Sequence, residues 1–378
     1  MILFLLSFFL LYGGIHVFFY IRLKAAFHLT PWVHATVVLS LLLLLLSPLL
    51  VRLSEHQGYE GAACFLSYLG YSWMGVIFLF FVASLCLDFY RFAVWMNSEI
   101  GGFELNHLYP SALILFMAPL IISVGLNIYG YFEALNIRME HLVIKTAKIP
   151  KNIERLRIVQ ISDVHVGIIV REGRLERMMA AVKKAAPDIL VSTGDLVDGQ
   201  LDNIYGSLQL LNGVQTKYGK YAVTGNHEFY AGLDQALDFT RRAGFTVLRG
   251  EGINIGGMLN IAGVDDPAGK RTGQYRGIPE TKMLAGLPGK TYTLLLKHQP
   301  LIDQEALGAF DLQLSGHTHK GQIFPFSMVT GLVFPLQGGS FNLPEGARLY
   351  VSKGTGTWGP PMRLLSPPEI TIIDLIPE

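Results

Sequence analysis

The 378-residue chain has only two cysteines, Cys64 and Cys86. They are too few for a disulfide framework or a cysteine-based zinc site. Charge is scarce as well. Asp, Glu, Lys and Arg make up 16% of the residues, against about 25% in an ordinary soluble domain. The formal net charge is +1, so the basic footprint of a non-specific nucleic-acid binder is missing and no specific nucleic acid is expected. Disorder is excluded too, because 51% of the residues are hydrophobic and a disordered chain needs few apolar residues and much charge. No Gly-rich nucleotide loop is present. No basic residue precedes the first apolar run and no clear small-residue cleavage site follows it. That run is therefore expected to stay as a span rather than to be cleaved as a signal peptide.

The shortage of charge is local. The first 135 residues hold four basic residues, Arg22, Lys24, Arg52 and Arg91, and six acidic ones, Glu55, Glu60, Asp88, Glu99, Glu104 and Glu133. Residues 136–378 carry all the others. Four stretches of the first part, 2–21, 31–51, 65–95 and 109–132, each offer about 20 mainly apolar residues, enough to cross a hydrocarbon core of about 30 Å. One such stretch alone reads as a buried helix of a soluble protein. Four together leave nothing polar to face water. Residues 1–135 are expected to form a four-helix transmembrane region, with Asp88 and Arg91 at an interface. Tyr20, Trp32, Trp73, Trp95 and Tyr109 sit near the proposed ends, as an aromatic belt requires.

The protein is thus read as a multi-pass protein of the cell membrane. Arg22 and Lys24 follow the first span, which puts that loop in the cytoplasm and residues 136–378 on the non-cytoplasmic side. Arg138, Lys145 and Lys148 after the last span favour the opposite sense. The first helix is given the greater weight.

From about residue 138 the pattern changes. Runs at 156–161, 189–193, 221–224, 291–296 and 312–315 read as buried strands. The stretches 172–186, 203–215 and 232–243 read as helices between them. Strands alternating with helices predict a parallel sheet of βαβ units. After residue 245 helices thin out. Runs at 245–248, 253–255, 259–264, 348–352 and 370–375 are expected to build a second, more antiparallel sheet. The fold class is α/β.

Polar clusters follow five of the strands: Asp163 and His165; Asp195 and Asp198 after Gly194; Asn226, His227 and Glu228 after Gly225; His298; and His317 and His319 after Gly316. Ligands of an open α/β sheet bind beyond the carboxyl ends of its strands, so one site can collect all five clusters. Asp163 and His165 are two apart, as are His317 and His319, and in extended backbone such pairs point the same way. Of eleven histidines, six lie in or next to the membrane part and read as packing residues, while the other five all fall in these clusters. Mixed imidazole and carboxylate ligands without thiolate suit Mn, Fe or Zn. The donors are too many for one tetrahedral ion and fit two divalent ions about 3.5–4 Å apart sharing a carboxylate.

In these five blocks the sequence resembles the calcineurin-like metallophosphoesterase superfamily, over about residues 138–378. Within it the chain is similar to the branch called transmembrane protein with metallophosphoesterase domain, through its spans, the stretch Ala262-Gly263-Val264-Asp265-Asp266 and the tail Tyr350-Val351-Ser352 with Gly354-Thr355 and Pro361-Met362-Arg363. The resemblance implies a two-sheet αββα sandwich. It implies that Asp163, His165 and His319 hold one metal, that Asn226, His298 and His317 hold the other, and that Asp195 bridges. It makes His227 a non-ligand group at the leaving oxygen, with Asp198 orienting it or a ligand.

The expected activity is hydrolysis of a phosphomonoester, phosphodiester or pyrophosphate by hydroxide held on the two ions. The short link from the last span to the catalytic part suggests an amphiphilic, lipid-linked substrate, with a soluble phosphoester an equal alternative. A membrane sensor or assembly protein that binds a phosphate ligand without turnover is the second class of function. The substrate's identity and the oligomeric state are not legible in the sequence.

Overall fold

The computed structural model describes residues 2–199 and 205–378. It divides into two compact units. One comprises Met1–Phe132 with Gly359–Met362, the other Glu133–Trp358 with Arg363–Glu378.

The first unit is helical: α1 (Ile2–Ala26), α2 (Pro31–Leu45), α3 (Ser47–His56), α4 (Glu60–Gly101) and α5 (Ala112–Glu133). Helices satisfy every backbone polar group internally, which lipid demands. Three helical stretches, Leu6–Ala26, Glu60–Gly101 and Asn106–Glu133, are long and apolar enough to cross a membrane. The pair α2 and α3 makes a fourth span if counted as one, although it is bent by 55°. The expected straight span 31–51 breaks because Pro48 supplies no backbone N–H and fits only the first turn of a new helix. Tyr12, Phe19, Leu41, Ile77, Phe80 and Phe116 form the interior, with the Phe19 ring 4.8 Å from Phe80 and 5.3 Å from Phe116. Ser47 packs where a Cβ on Gly70 would collide with it, the small-residue contact that lets membrane helices approach closely. Arg22 of α1 pairs with Asp88 of α4, and Arg91 lies 3.4 Å from the same carboxylate. Reading the spans separately did not join α1 to α4.

The second unit runs in chain order β1 (Arg138–Thr146), β2 (Leu156–Ile161), α6 (Glu172–Ala185), β3 (Ile189–Ser192), α7 (Tyr205–Asn212), β4 (Lys220–Ala222), α8 (Asn226–Ala231), α9 (Leu233–Arg242), β5 (Thr246–Val247), β6 (Glu251–Ile255), β7 (Leu259–Gly263), α10 (Gly269–Thr272), α11 (Glu280–Ala285), β8 (Tyr292–Leu296), β9 (Leu312–Ser315), α12 (Phe326–Val333), β10 (Gly339–Asn342), β11 (Arg348–Val351) and β12 (Glu369–Pro377). The first two residues of the expected helix 203–215 lie outside the described residues.

The strands form two six-stranded sheets, ordered β1-β12-β2-β3-β4-β5 and β10-β11-β9-β8-β7-β6. Alternate residues of each strand meet between the sheets: Ile158 of β2, Ile189 and Val191 of β3, Leu259 and Ile261 of β7, Leu294 and Leu296 of β8, Leu312 and Leu314 of β9, and Ile373 and Leu375 of β12. The intervening residues face outward. Ala262 and Leu295 pack with Met283 and Leu284 of α11, and α6 turns Leu175, Met178, Met179 and Val182 inward at helical spacing. Helices thus cover both sheets, in an αββα sandwich.

Four assignments to sheets are corrected. The strands expected at 291–296 and 312–315 in the first sheet are β8 and β9, central in the second. The runs at 245–248 and 370–375, expected in the second sheet, are β5 and β12 of the first. The cause is that local periodicity reports whether a strand is buried and not which sheet buries it. Ile370, Thr371, Ile372 and Ile373 are buried in succession, as a strand covered on both faces must be, and β12 fills the place between β1 and β2. The second sheet is parallel through β7, β8, β9 and β11 and antiparallel only at its ends, β6 and β10.

Candidate metal centre

The parallel run β2-β3-β4 aligns its carboxyl ends at one edge of its sheet, and β8-β9 does so in the other. The loops that leave these five ends carry the nine polar residues singled out in the sequence. They are stitched together by main-chain bonds. Asp163 N donates to Gly194 O and His165 N to Asp195 O, both at 3.0 Å, and Gly316 N donates to His298 O at 2.8 Å. His317 N reaches Asp163 Oδ1 at 3.0 Å, and His227 N reaches Asp195 Oδ1 at 2.8 Å.

Such convergence restricts the backbone. Asp163, His165, Asp195, His317 and His319 have φ of 51°, 55°, 50°, 71° and 48°. Non-glycine residues seldom adopt this left-handed region, at a cost of about 1–3 kcal/mol each, and such strain gathers at functional sites. Two glycines make the crowding possible. A Cβ on Gly225 would collide with the Asp195 carboxylate, and one on Gly316 with Asp163 and Ser162.

The side chains gather in overlapping groups. Asp163, His165 and His319 offer ligand atoms within 4.8 Å of one another, and so do Asp195, His298 and His317. His165 Nε2 lies 3.1 Å from His319 Nε2, and His319 Nε2 is 3.4 Å from Asp163 Oδ1. On the other side, His298 Nε2 lies 3.1 Å from His317 Nδ1, 3.2 Å from Asn226 Oδ1 and 3.2 Å from Asp195 Oδ2. The same Asp195 Oδ2 is 3.9 Å from His165 Nε2, so this carboxylate stands between the two groups. His298 Nδ1 donates to Thr193 O at 2.8 Å, which leaves Nε2 with its lone pair toward the site.

His227 belongs to a third cluster with His165 and Asp195. Its Nδ1 is 2.8 Å from Asp198 Oδ1, which also approaches His165 Nδ1 at 3.5 Å. Asp198 thus touches both of the residues it was expected to choose between.

The electrostatics call for cations. Burial pushes the Asp163 carboxyl up. Burial would also raise Asp195, but His298 and His227 hold it well below the ordinary carboxylate range. Burial opposes protonation of His298, yet Asp195 and Asp163 hold it well above its ordinary value. Against the same penalty, Asp195 and Asp198 raise His227 to about 9. Burial, then His298, pushes His317 down to about 3, and burial, then Arg363, holds His319 well below its usual range. Buried carboxylates that draw positive charge, beside imidazoles kept unprotonated with lone pairs facing each other at about 3 Å, fit a pair of metal ions.

Three supporting residues carry no role in the sequence reading. Glu228 accepts from the N–H groups of Asp195, Leu196, Val197 and Gly225, at 3.0, 2.7, 3.3 and 2.6 Å. Arg363, fully buried, donates to His319 Nδ1 at 3.0 Å and to the carbonyls of Lys353 and Gly356. The Trp358 ring stands 5.6 Å from that of His227. Glu228 was visible as the end of Gly-Asn-His-Glu, and Arg363 as part of the shared tail, but neither pattern says what the side chain touches.

Residues 156–321 match the family model described as calcineurin-like phosphoesterase. A metallophosphoesterase of Aquifex aeolicus is 45% identical over 257 residues, 68% of this chain and 98% of that protein. One of Campylobacter jejuni is 32% identical over 320 residues, 82% of this chain and 83% of its own. The transmembrane protein with metallophosphoesterase domain of Danio rerio is 32% identical over 269 residues, 68% of this chain and 61% of that protein. The matched family region contains every one of the five strand-end loops, and the Aquifex relative is similar along almost its whole length. On these grounds the chain belongs to the calcineurin-like phosphoesterase family.

Proposed function

We propose that this protein is a membrane-anchored, dinuclear-metal phosphoester hydrolase. The observation that carries the reading is the arrangement about Asp195: Asp163, His165 and His319 to one side, His298, His317 and Asn226 to the other. In this reading the first three hold one divalent ion and the second three the other, with Asp195 shared. The candidates are Mn, Fe and Zn, which accept mixed imidazole and carboxylate ligands. Two such ions would neutralise phosphoryl oxygens and supply a water of pKa near 7 in place of about 15.7.

The chain's own groups do the rest. His227 is fixed through Nδ1 by Asp198, so its Nε2 is the atom left to face a leaving oxygen. With Nδ1–H bonded to the carboxylate, a proton on Nε2 can pass to that oxygen as the phosphorus–oxygen bond breaks. Asp198 keeps the protonated imidazole stable until then, and metal ions alongside would draw its pKa of about 9 back toward neutrality. Trp358 walls the ring on one side.

The test is hydrolysis of bis-p-nitrophenyl phosphate by the full chain in detergent with Mn. Asp195→Asn is expected to abolish turnover and to lower the metal content. His227→Ala is expected to keep the metal and to lose about 10²–10⁴-fold in kcat. Full activity of Asp195→Asn would overturn the assignment.

A further inference from the structure

Residues 321–344 contain no Asp, Glu, Lys, Arg or His, 24 positions in succession, although the rest of the catalytic unit is well charged. Within this stretch α12 buries none of its residues. Met328, Val329, Leu332 and Val333 are 69%, 53%, 85% and 68% exposed. Their spacing of i, i+1, i+4 and i+5 puts them on one face. The helix is held from behind by polar bonds, with Thr330 Oγ1 and Ser327 O both joined to the Gln337 side chain. Exposed Phe324 lies at its start, where Phe324 N donates to Leu364 O and brings exposed Leu365 alongside. An apolar ridge of this size is not left to water without a reason.

The ridge adjoins the site. The Phe334 ring, next in the chain after α12, stands 5.0 Å from that of His317, and Thr318 Oγ1 donates to Gln337 O at 3.0 Å. Half-exposed Trp358, against His227, is tied to Gln322 at the foot of the same stretch. A phosphoryl group between the ligand clusters therefore has apolar surface on its way out.

The chain itself says what covers the ridge. Only residues 134–137 separate Glu133, the end of α5, from Arg138, the start of β1. Four residues span at most about 14 Å, so the catalytic unit stays beside whatever bilayer holds the span Asn106–Glu133. We propose that α12 and its flanks dip into that bilayer, and that the substrate is a phosphoester carried on a long hydrocarbon chain, drawn from the lipid phase along this ridge. The substrate part of this rests on the hydrolase reading; the membrane contact does not.

Two measurements on the full chain test it. In the first, a nitroxide is placed at Leu332→Cys, with Cys64 and Cys86 changed to Ser, in nanodiscs of phosphatidylethanolamine and phosphatidylglycerol. The label is expected to meet oxygen freely and a water-soluble nickel chelate rarely. Free access of the chelate overturns the membrane contact, and so does shielding with spin–spin broadening, the sign of a second copy. In the second, ethyl and hexadecyl p-nitrophenyl phosphate share one leaving group and differ only in the tail. The hexadecyl ester is expected to show a KM at least tenfold lower. Leu332→Gln with Val333→Gln is expected to raise that KM at least tenfold and to leave the ethyl ester within twofold. Equal KM values for the two esters in the unaltered protein overturn the lipid-chain reading. Hydrolysis of neither ester by metal-saturated protein overturns the hydrolase reading instead, and the label still decides the membrane contact.

Discussion

Glu228 spends both of its oxygens on backbone. It joins Gly225, at the start of α8, to three successive N–H groups of the loop that bears Asp195. Removing it leaves buried donors without a partner, each costing about 1–3 kcal/mol less whatever water can enter. Glu228→Ala is expected to lose about 2–4 kcal/mol, which for a unit of this size is roughly 4–16 °C in Tm. Glu228→Gln, which keeps one acceptor oxygen, is expected to fall between. Thermal unfolding followed by circular dichroism reads both, and an unchanged Tm for the alanine variant contradicts the role. The contrast with Asp163, Asp195 and His317 shows what a sequence exposes at this scale. Those residues advertise themselves because a polar group placed just past a buried strand has few purposes. The tasks of Glu228 and Arg363 are set by carbonyls and N–H groups on distant loops, and no spacing within their own segments encodes them.

At the scale of elements the first sheet turns on β12. It lies parallel to β1 and antiparallel to β2, and a bidentate pair ties it to β2. Arg157 Nε and Nη2 reach Asp374 Oδ1 and Oδ2 at 2.7 and 2.8 Å. Arg157 holds the Asp374 carboxyl below its ordinary value. A carboxyl whose pKa is depressed on folding stabilises the fold above its unfolded pKa of about 3.9, and the gain fades as pH falls through the lower folded value. Asp374→Asn is therefore expected to lower Tm at pH 7 by roughly 2–4 °C, for a partly exposed pair contributing up to about 1 kcal/mol. The difference from the unaltered protein should close as pH drops below about 4. A gap that persists or widens in acid contradicts the assignment. The sequence disclosed β12 as a strand but not its neighbours, because pairing across more than 200 positions leaves no local trace. It did not disclose β1 or β10 at all. Both sit at sheet edges, where exposed and covered residues mix and neither a continuous apolar run nor a clean alternation survives. The five loops at the centre were legible for the converse reason: their strands are short, wholly or nearly buried, and followed at once by glycine or a polar ligand.

At the scale of the molecule, two solvents have shaped one chain. The first unit turns Leu10, Leu43, Ile121 and Phe132 outward, as helices facing lipid do. The second keeps its apolar residues between and behind its sheets, with the ridge at α12 as the marked exception. Composition alone separates these units, because charge vanishes from one and returns in the other. The bend between α2 and α3 was not legible, since an apolar run has the same hydropathy whether straight or broken. The account rests throughout on a centre whose buried carboxylates and facing imidazoles are made to surround cations. The direct measurement is elemental analysis of the purified full chain after exposure to Mn, Fe and Zn and removal of loose metal. The account predicts about two divalent ions per chain, with a marked loss in Asp195→Asn. A chain that retains none, or an Asp195→Asn variant that retains the full complement, would contradict it.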